Sequence, residues 1–190
     1  MSPAAGPGPE VLLVAGRSGA GKSSVAHELS ARWARAGLAH CLVDGDNLDA
    51  AYPKPPGDPH GTALTEANLR ALWATYAAAG YRRVVYVNTV AVLERDLVER
   101  ALGGRPRVAG VLLTASQVSV RERLARREAG SGLAEHLERS AAAAELLDRA
   151  AGPWVTRVPT DGRSVGEVAA AVAAASGWER GAGQDGPPGR

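Results

Sequence analysis

Residues 16–23 read Gly-Arg-Ser-Gly-Ala-Gly-Lys-Ser, and this octet constrains the fold more than any other feature of the 190-residue chain. Its spacing is G-x-x-x-x-G-K-[ST], in which the glycines let the backbone curl until successive N–H groups face a phosphate. The run Val11–Ala15 before it is short and apolar, as a buried strand is. After it, Val25, Leu29 and Trp33 recur at helical spacing. A strand, a glycine loop and a helix in that order set phosphates on a helix N-terminus, where unpaired N–H groups and the helix dipole favour anions. The residues expected to bind nucleotide are therefore Gly16, Arg17, Ser18, Gly19, Ala20, Gly21, Lys22, Ser23 and Ser24. Lys22 would meet the β- and γ-phosphates and the Ser23 hydroxyl would ligate Mg²⁺, so ATP and Mg²⁺ are the expected cofactors. Of 22 basic residues only Lys22 and Lys54 are lysine. A compact ammonium thus stands at the one loop position where the broad guanidinium fork would not fit.

Short apolar runs alternate with helical patterns along the rest of the chain. Strands are expected at 39–43, 83–88, 108–114 and 154–158, and helices at 65–79, 92–102, 118–128, 133–150 and 165–176. This alternation predicts an α/β fold of the P-loop NTPase type, a five-stranded parallel sheet with helices on both faces. One domain is expected over 10–176, with a loose arm at 1–9 and a tail without periodicity at 177–190. Aromatics make up 4% and Phe is absent, so Leu, Val and Ala must fill the core. A net charge of +2 gives no footprint for nucleic acid or an anionic membrane. The single cysteine, Cys41, leaves no internal disulfide and fits a reducing, cytoplasmic setting. It lies in an apolar strand, so a buried thiol is expected. A homodimer is left open by the sequence.

Asp44-Gly45-Asp46-Asn47 follows the second strand, at the carboxyl edge where open α/β sheets bind ligands. One of the two carboxylates, Asp44 or Asp46, could take a proton from an attacking hydroxyl while the other holds a Mg²⁺-bound water. Asp-Gly is also ordinary turn chemistry. Ala51–Gly61 is too proline-rich for helix or central strand and reads as a loop over the same edge. On the helix at 65–79, Leu69, Leu72, Trp73 and Tyr76 form the buried stripe, and Asn68 sits at its border in a position that by itself is structural. Arg123, Arg126 and Arg127 run into Gly130-Ser131-Gly132, a pattern that suits a lid closing over phosphates but also a solvated helix face. Asn88 ends the third strand, where many phosphate-loop proteins carry a Mg²⁺-binding aspartate, so the sequence speaks against a motor or switch ATPase. Thr160 and Gly162 follow the last strand, in position to line the adenine pocket.

The order of these pieces resembles the small-molecule and nucleotide kinases among phosphate-loop proteins, and adenylylsulfate kinase in particular. That family pairs a Gly-x-Ser-Gly-Ala-Gly-Lys-[ST] loop with Leu-Asp-Gly-Asp-Asn and a later Asn-x-Arg. Here these are Gly16–Ser23, Val43-Asp44-Gly45-Asp46-Asn47 and Asn68-Leu69-Arg70. The resemblance implies that Asp44, Asp46, Asn47, Asn68 and Arg70 flank the substrate that receives the phosphate. The second half departs from that family. Asn88-Thr-Val-Ala-Val92 replaces its serine-containing stretch, and the lid region looks more like the kinases related to chloramphenicol phosphotransferase and nucleotide kinases. Taken together, these features predict an ATP- and Mg²⁺-dependent kinase of a small hydroxyl- or phosphate-bearing metabolite. Lys22, Asp44, Asp46 and Arg127 are its expected catalytic groups, Ser23 and Asp46 its metal side, and Arg123 a nucleotide contact. Asn88 and Arg126 join the substrate side. A nucleoside, nucleotide or antibiotic kinase and a non-catalytic ATP switch are the alternatives.

Overall fold

The protein is described by a computed structural model over residues 8–126 and 132–181. Five strands, β1 (Glu10–Ala15), β2 (Cys41–Asp44), β3 (Arg83–Val87), β4 (Arg107–Thr114) and β5 (Val155–Pro159), form one parallel sheet in the order β2-β3-β1-β4-β5. The helices are α1 (Lys22–Arg35), α2 (Thr62–Ala78), α3 (Arg95–Leu102), α4 (Gln117–Ala125), α5 (Leu133–Ala150) and α6 (Val165–Ser176).

Both sheet faces are covered, which is why β1 is apolar at every position after Glu10. Its side chains alternate between two cores. Val11, Leu13 and Ala15 pack with Leu69 and Trp73 of α2 and Val98 of α3. Leu12 and Val14 pack with Leu29 and Trp33 of α1 and Val172 of α6. The central strand β1 pairs with β3 on one side and β4 on the other. The chain therefore leaves the sheet between two neighbours whose crossovers diverge, and the crevice at their carboxyl ends is where the glycine loop lies.

The strand expected at 39–43 runs Cys41–Asp44 and the helix expected at 118–128 runs Gln117–Ala125, and the structure departs from the sequence expectations in four further places. On α2 the buried row is Thr65, Leu69 and Trp73, while Leu72 is exposed. A single row at four-residue spacing faces the core there, and Leu72 falls off its axis. That helix also begins at Thr62, because Asp58 Oδ2 accepts the Leu64 N–H at 2.9 Å and caps the first turn. The expected helix at 92–102 divides into a 3₁₀ turn, Ala91–Leu93, followed by α3. Packed structure also continues past Ser176. Gly177 turns the chain with φ 72°, and Trp178 is buried against Trp33 with ring centroids 4.8 Å apart. Residues 1–7 of the expected arm and 182–190 of the expected tail lie outside the described residues. Among the described residues no helix is long and apolar enough to cross a membrane.

Candidate active site

The glycine loop runs from the end of β1 into α1. Gly16, Gly19 and Gly21 all carry positive φ, and a Cβ at Gly21 would meet nothing within 4 Å, so the loop is open on its inner side. Lys22 is the first residue of α1, and its Nζ donates to Gly16 O at 2.8 Å and to Thr89 Oγ1 at 3.3 Å. The ammonium is thus folded back over the loop it serves. Ser23 and Ser24, on the first turn of α1, are exposed.

Helix α5 clamps the loop from behind. Arg17 is buried, and its Nε donates to Ser140 Oγ at 2.8 Å. Ser140 Oγ in turn donates to Ser18 O at 2.9 Å, and Ser18 Oγ and His136 Nε2 are hydrogen-bonded at 2.7 Å. Desolvation holds the Arg17 guanidinium below its usual range. Arg17 and Ser18 therefore act as the loop's tethers. Neither His136 nor Ser140 is marked in the sequence, because both lie more than 110 residues from their partners.

At the carboxyl ends of β2 and β3 sits a group of acids. Asp44 closes β2, and its Oδ1 accepts the Asp46 N–H at 3.1 Å, capping a 3₁₀ turn over Gly45–Asn47. Gly45 separates the two aspartates for a steric reason: a Cβ there would lie 2.6 Å from the Tyr86 hydroxyl. Asp46 and Asn47 are exposed. Partial desolvation raises the Asp46 carboxyl above its usual range although the residue as a whole is exposed, against the pull of Lys22 and a Thr89 N–H, and Asp44 and Asp49 push the same way.

Glu94 completes this edge and is absent from the sequence expectations. Its Oε2 accepts from Tyr86 Oη at 2.9 Å and from Asn88 Nδ2 at 2.8 Å. Burial raises its carboxyl, and the charges of Asp46 and Asp49 add to the effect. The signal available in the sequence was Asn88 itself, an amide where an aspartate is common, which implies a nearby carboxylate to receive it. Lys54, from the proline-rich loop, donates to Asp49 O and to Asp49 Oδ2, the latter at 2.6 Å.

On the other side of the loop, Arg123 Nη1 donates to Gly19 O at 3.2 Å and to Thr160 Oγ1 at 3.0 Å, and Nη2 donates to Thr160 O at 3.3 Å. Arg123 is thereby fixed to the loop and is not carried by a swinging lid. With Ala20, Gly21, Ser24, Thr160, Arg163 and Val168 it lines a cleft of about 350 Å³ beside the loop. Gly162, with φ 67°, turns the chain after β5 next to this cleft.

Other expected residues are engaged elsewhere. Asn68 Nδ2 donates to Leu48 O at 2.7 Å, which ties α2 to the turn after Asn47. Arg70 and Arg100 share Glu66, at 2.6 and 2.9 Å, on the surface between α2 and α3. Arg126 is exposed at the end of α4. Arg127, Gly130 and Ser131 lie outside the described residues.

The open loop, the folded-back Lys22 and the nearby cleft fit a nucleoside triphosphate. Among the described residues no three His, Cys, Asp or Glu converge as a metal cage. Mg²⁺ does not need one, since it keeps several waters and takes one or two protein oxygens together with phosphates. The exposed Ser23 hydroxyl and Asp46 are of that kind.

Known proteins offer a matching picture. The sequence model of the adenylylsulphate kinase family matches residues 8–55, the segment holding the glycine loop and both aspartates. No curated protein sequence matches the chain. A gluconokinase from Sinorhizobium meliloti 1021 is similar in structure, with a TM-score of 0.57 at 20% identity over 92% of this chain and 94% of that one. The APS kinase of Mycobacterium tuberculosis, solved with AMPPNP and APS, gives 0.53 at 20% identity over 89% and 98%. A tunicamycin resistance protein from Deinococcus radiodurans gives 0.56 at 20% identity over 87% and 94%. At such identities the likeness establishes the fold, and that fold is the parallel α/β architecture of the P-loop small-molecule kinases.

Proposed function

We propose that the protein is an ATP- and Mg²⁺-dependent phosphotransferase that moves the γ-phosphoryl group of ATP onto a small hydroxyl- or phosphate-bearing metabolite. One observation carries this reading: Asp46, just past the carboxyl end of β2, shares the sheet edge at Thr89 with Lys22, which lies over an open phosphate loop. A module that only binds nucleotide needs the loop and the lysine but no acid facing the transferred group. The similarity to a gluconokinase and an APS kinase supports a small-molecule acceptor.

In the transfer, the acceptor oxygen bonds to the γ-phosphorus as the bond from that phosphorus to the β–γ bridging oxygen breaks. ADP departs with the electron pair, and Asp46 takes the acceptor's proton; its raised affinity for protons suits a base. Lys22 and the loop N–H groups from Gly16 to Ser23 hold the β- and γ-phosphates in line. Ser23 and Asp46 are the residues that would hold Mg²⁺, which would supply charge neutralisation on those phosphates. Asp44 fixes the turn that aims Asp46. Arg123, Thr160 and the cleft beside them take the nucleoside end, with Ser24 on its wall and Gly162 turning the chain between the lining residues Thr160 and Arg163. Arg126, exposed just past the end of α4, would add charge on the phosphate side. Most of the acceleration then comes from positioning and charge stabilisation. A cytoplasmic setting fits the single buried thiol.

ADP release measured with a panel of hydroxylated metabolites, with the phosphate traced by mass, tests the proposal. Stimulation by one acceptor is expected, abolished in Lys22→Ala and slowed about 10²–10⁴-fold in Asp46→Asn. Tight ATP binding with no acceptor-stimulated release would instead favour a non-catalytic protein that signals by ATP occupancy without transferring or hydrolysing phosphate, the reading that Asn88 at the end of β3 supports.

A further inference from the structure

We infer that Glu94 is a second acceptor-binding residue, and that it selects acceptors that are neutral or cationic polyhydroxyl compounds over those carrying a carboxylate, sulfate or phosphate near the reacting hydroxyl. The inference rests on the phosphotransferase reading above and narrows its acceptor class.

The position of Glu94 follows from a chain of contacts. Thr89 bonds to Lys22, and Asn88 beside it bonds to Glu94. Tyr86, which also bonds to Glu94, packs its hydroxyl against Gly45, between Asp44 and Asp46. Glu94 therefore belongs to the same edge as the proposed base, although it comes from the turn before α3. Tyr86 is fully buried and Asn88 half-buried, so two donors from one strand converge on a single oxygen, Oε2, and hold the carboxylate in one orientation. Among the described residues Oε1 has no hydrogen-bond partner. The carboxylate is thus tied down through one oxygen and presents the other as an acceptor for an O–H or N–H group.

Charge at this edge sets the substrate class. Asp44, Asp46, Asp49 and Glu94 lie along it, within reach of one another's charge, and the cations of the phosphate loop, the proline-rich loop, α2 and the start of α3 are committed. Lys22 lies over the phosphate loop and Lys54 is bonded to Asp49 through both its carbonyl and carboxylate. Arg95, next to Glu94, pairs with Glu99 at 2.7 Å and stacks over Trp154. Arg70 is taken by Glu66. An anionic acceptor brought to Asp46 would face carboxylates without a free cation from these elements, whereas hydroxyls and ammonium groups would find acceptors. Asn88 fits the same logic: an aspartate there would repel Glu94, and the amide instead donates to it.

The test uses the full-length protein with ATP and matched probes: a hexose, a nucleoside and an aminoglycoside on one side, gluconate, a hexose phosphate and adenylylsulfate on the other. Transfer is expected onto one or more of the first group and not the second. Glu94→Gln keeps the shape, because its amide carbonyl can still receive Tyr86 and Asn88 while its NH₂ turns the acceptor oxygen into a donor. That variant should raise the acceptor KM about tenfold or more, the loss of one charge-assisted hydrogen bond, with the KM for ATP within about twofold of wild type. Preference for an anionic probe overturns the proposal, as does an unchanged acceptor KM in Glu94→Gln or an equal rise in both KM values. Absence of transfer onto every probe overturns the phosphotransferase reading itself, and this inference with it.

Discussion

Cys41 shows how much a single position owes to its surroundings. It sits on β2 at the edge of the sheet, buried, with Sγ donating to Arg83 O at 3.4 Å, and desolvation pushes its thiol up to about 12. The thiolate is the reactive form, so at pH 8 only roughly one molecule in 10⁴ presents it. The native protein should therefore resist a thiol reagent such as 5,5′-dithiobis(2-nitrobenzoate) at that pH, and react with one equivalent once unfolded in urea. Rapid labelling of the native state would contradict the burial. Gly45 is the opposite case, a residue whose smallness is its contribution. It lets the Tyr86 hydroxyl approach the backbone between Asp44 and Asp46, so the spacing of two acids by a glycine reflects packing as much as chemistry. The sequence displays the Asp-Gly-Asp pattern, but its reason lies on a strand some forty residues away.

Among the elements, α5 carries a role that its amphipathic pattern does not reveal. Its residues 133–150 read as an ordinary helix, and the structure gives it the same bounds. Yet it presents Ser140 to both Arg17 and Ser18, so the back of the phosphate loop is held by this helix. Arg17 Nη2 already lacks a partner among the described residues, and in Ser140→Ala its Nε would lose one as well. A buried donor left without an acceptor costs about 1–3 kcal/mol, so Ser140→Ala should lower the thermal midpoint by roughly 2–10 °C. Differential scanning calorimetry of the two proteins measures this, and an unchanged midpoint would show that α5 is not a structural tether for the loop. The other helices were largely readable from 3.6-residue periodicity. The error on α2, where Leu72 is exposed, came from counting apolar residues on a helix whose buried row is one residue wide and includes Thr65.

For the whole molecule, the two cores differ in how they are closed. The core between the sheet and α1–α6 extends past the last helix to Trp178, which lies against Trp33 at the far end of α1 from the loop. Trp178→Ala removes a large buried ring and should cost about 3 kcal/mol or more, read as a lower urea midpoint with an unchanged slope. The KM for ATP should be unaffected, because Trp33 stands eleven residues, about 16 Å of helix, beyond Lys22. A shift in nucleotide affinity without loss of stability would be the contrary result. The tail without periodicity that begins at Gly177 gave no hint of this, since one tryptophan after a helix has no pattern of its own.

By itself the sequence determined the phosphate loop, the parallel sheet and the succession of strands and helices. Glycine spacing, runs apolar on both faces and 3.6-residue repeats are local properties, and each follows from backbone geometry within a few residues. The tertiary structure alone decided which groups share the acceptor edge. Placing β3 between β2 and β1 brings Tyr86 and Asn88 alongside Asp44 and Asp46 and delivers Glu94 to them. Hydrogen bonds and charge coupling among side chains depend on strand order and register. No local periodicity carries that information, so the residues proposed to read the acceptor emerged only from the assembled sheet.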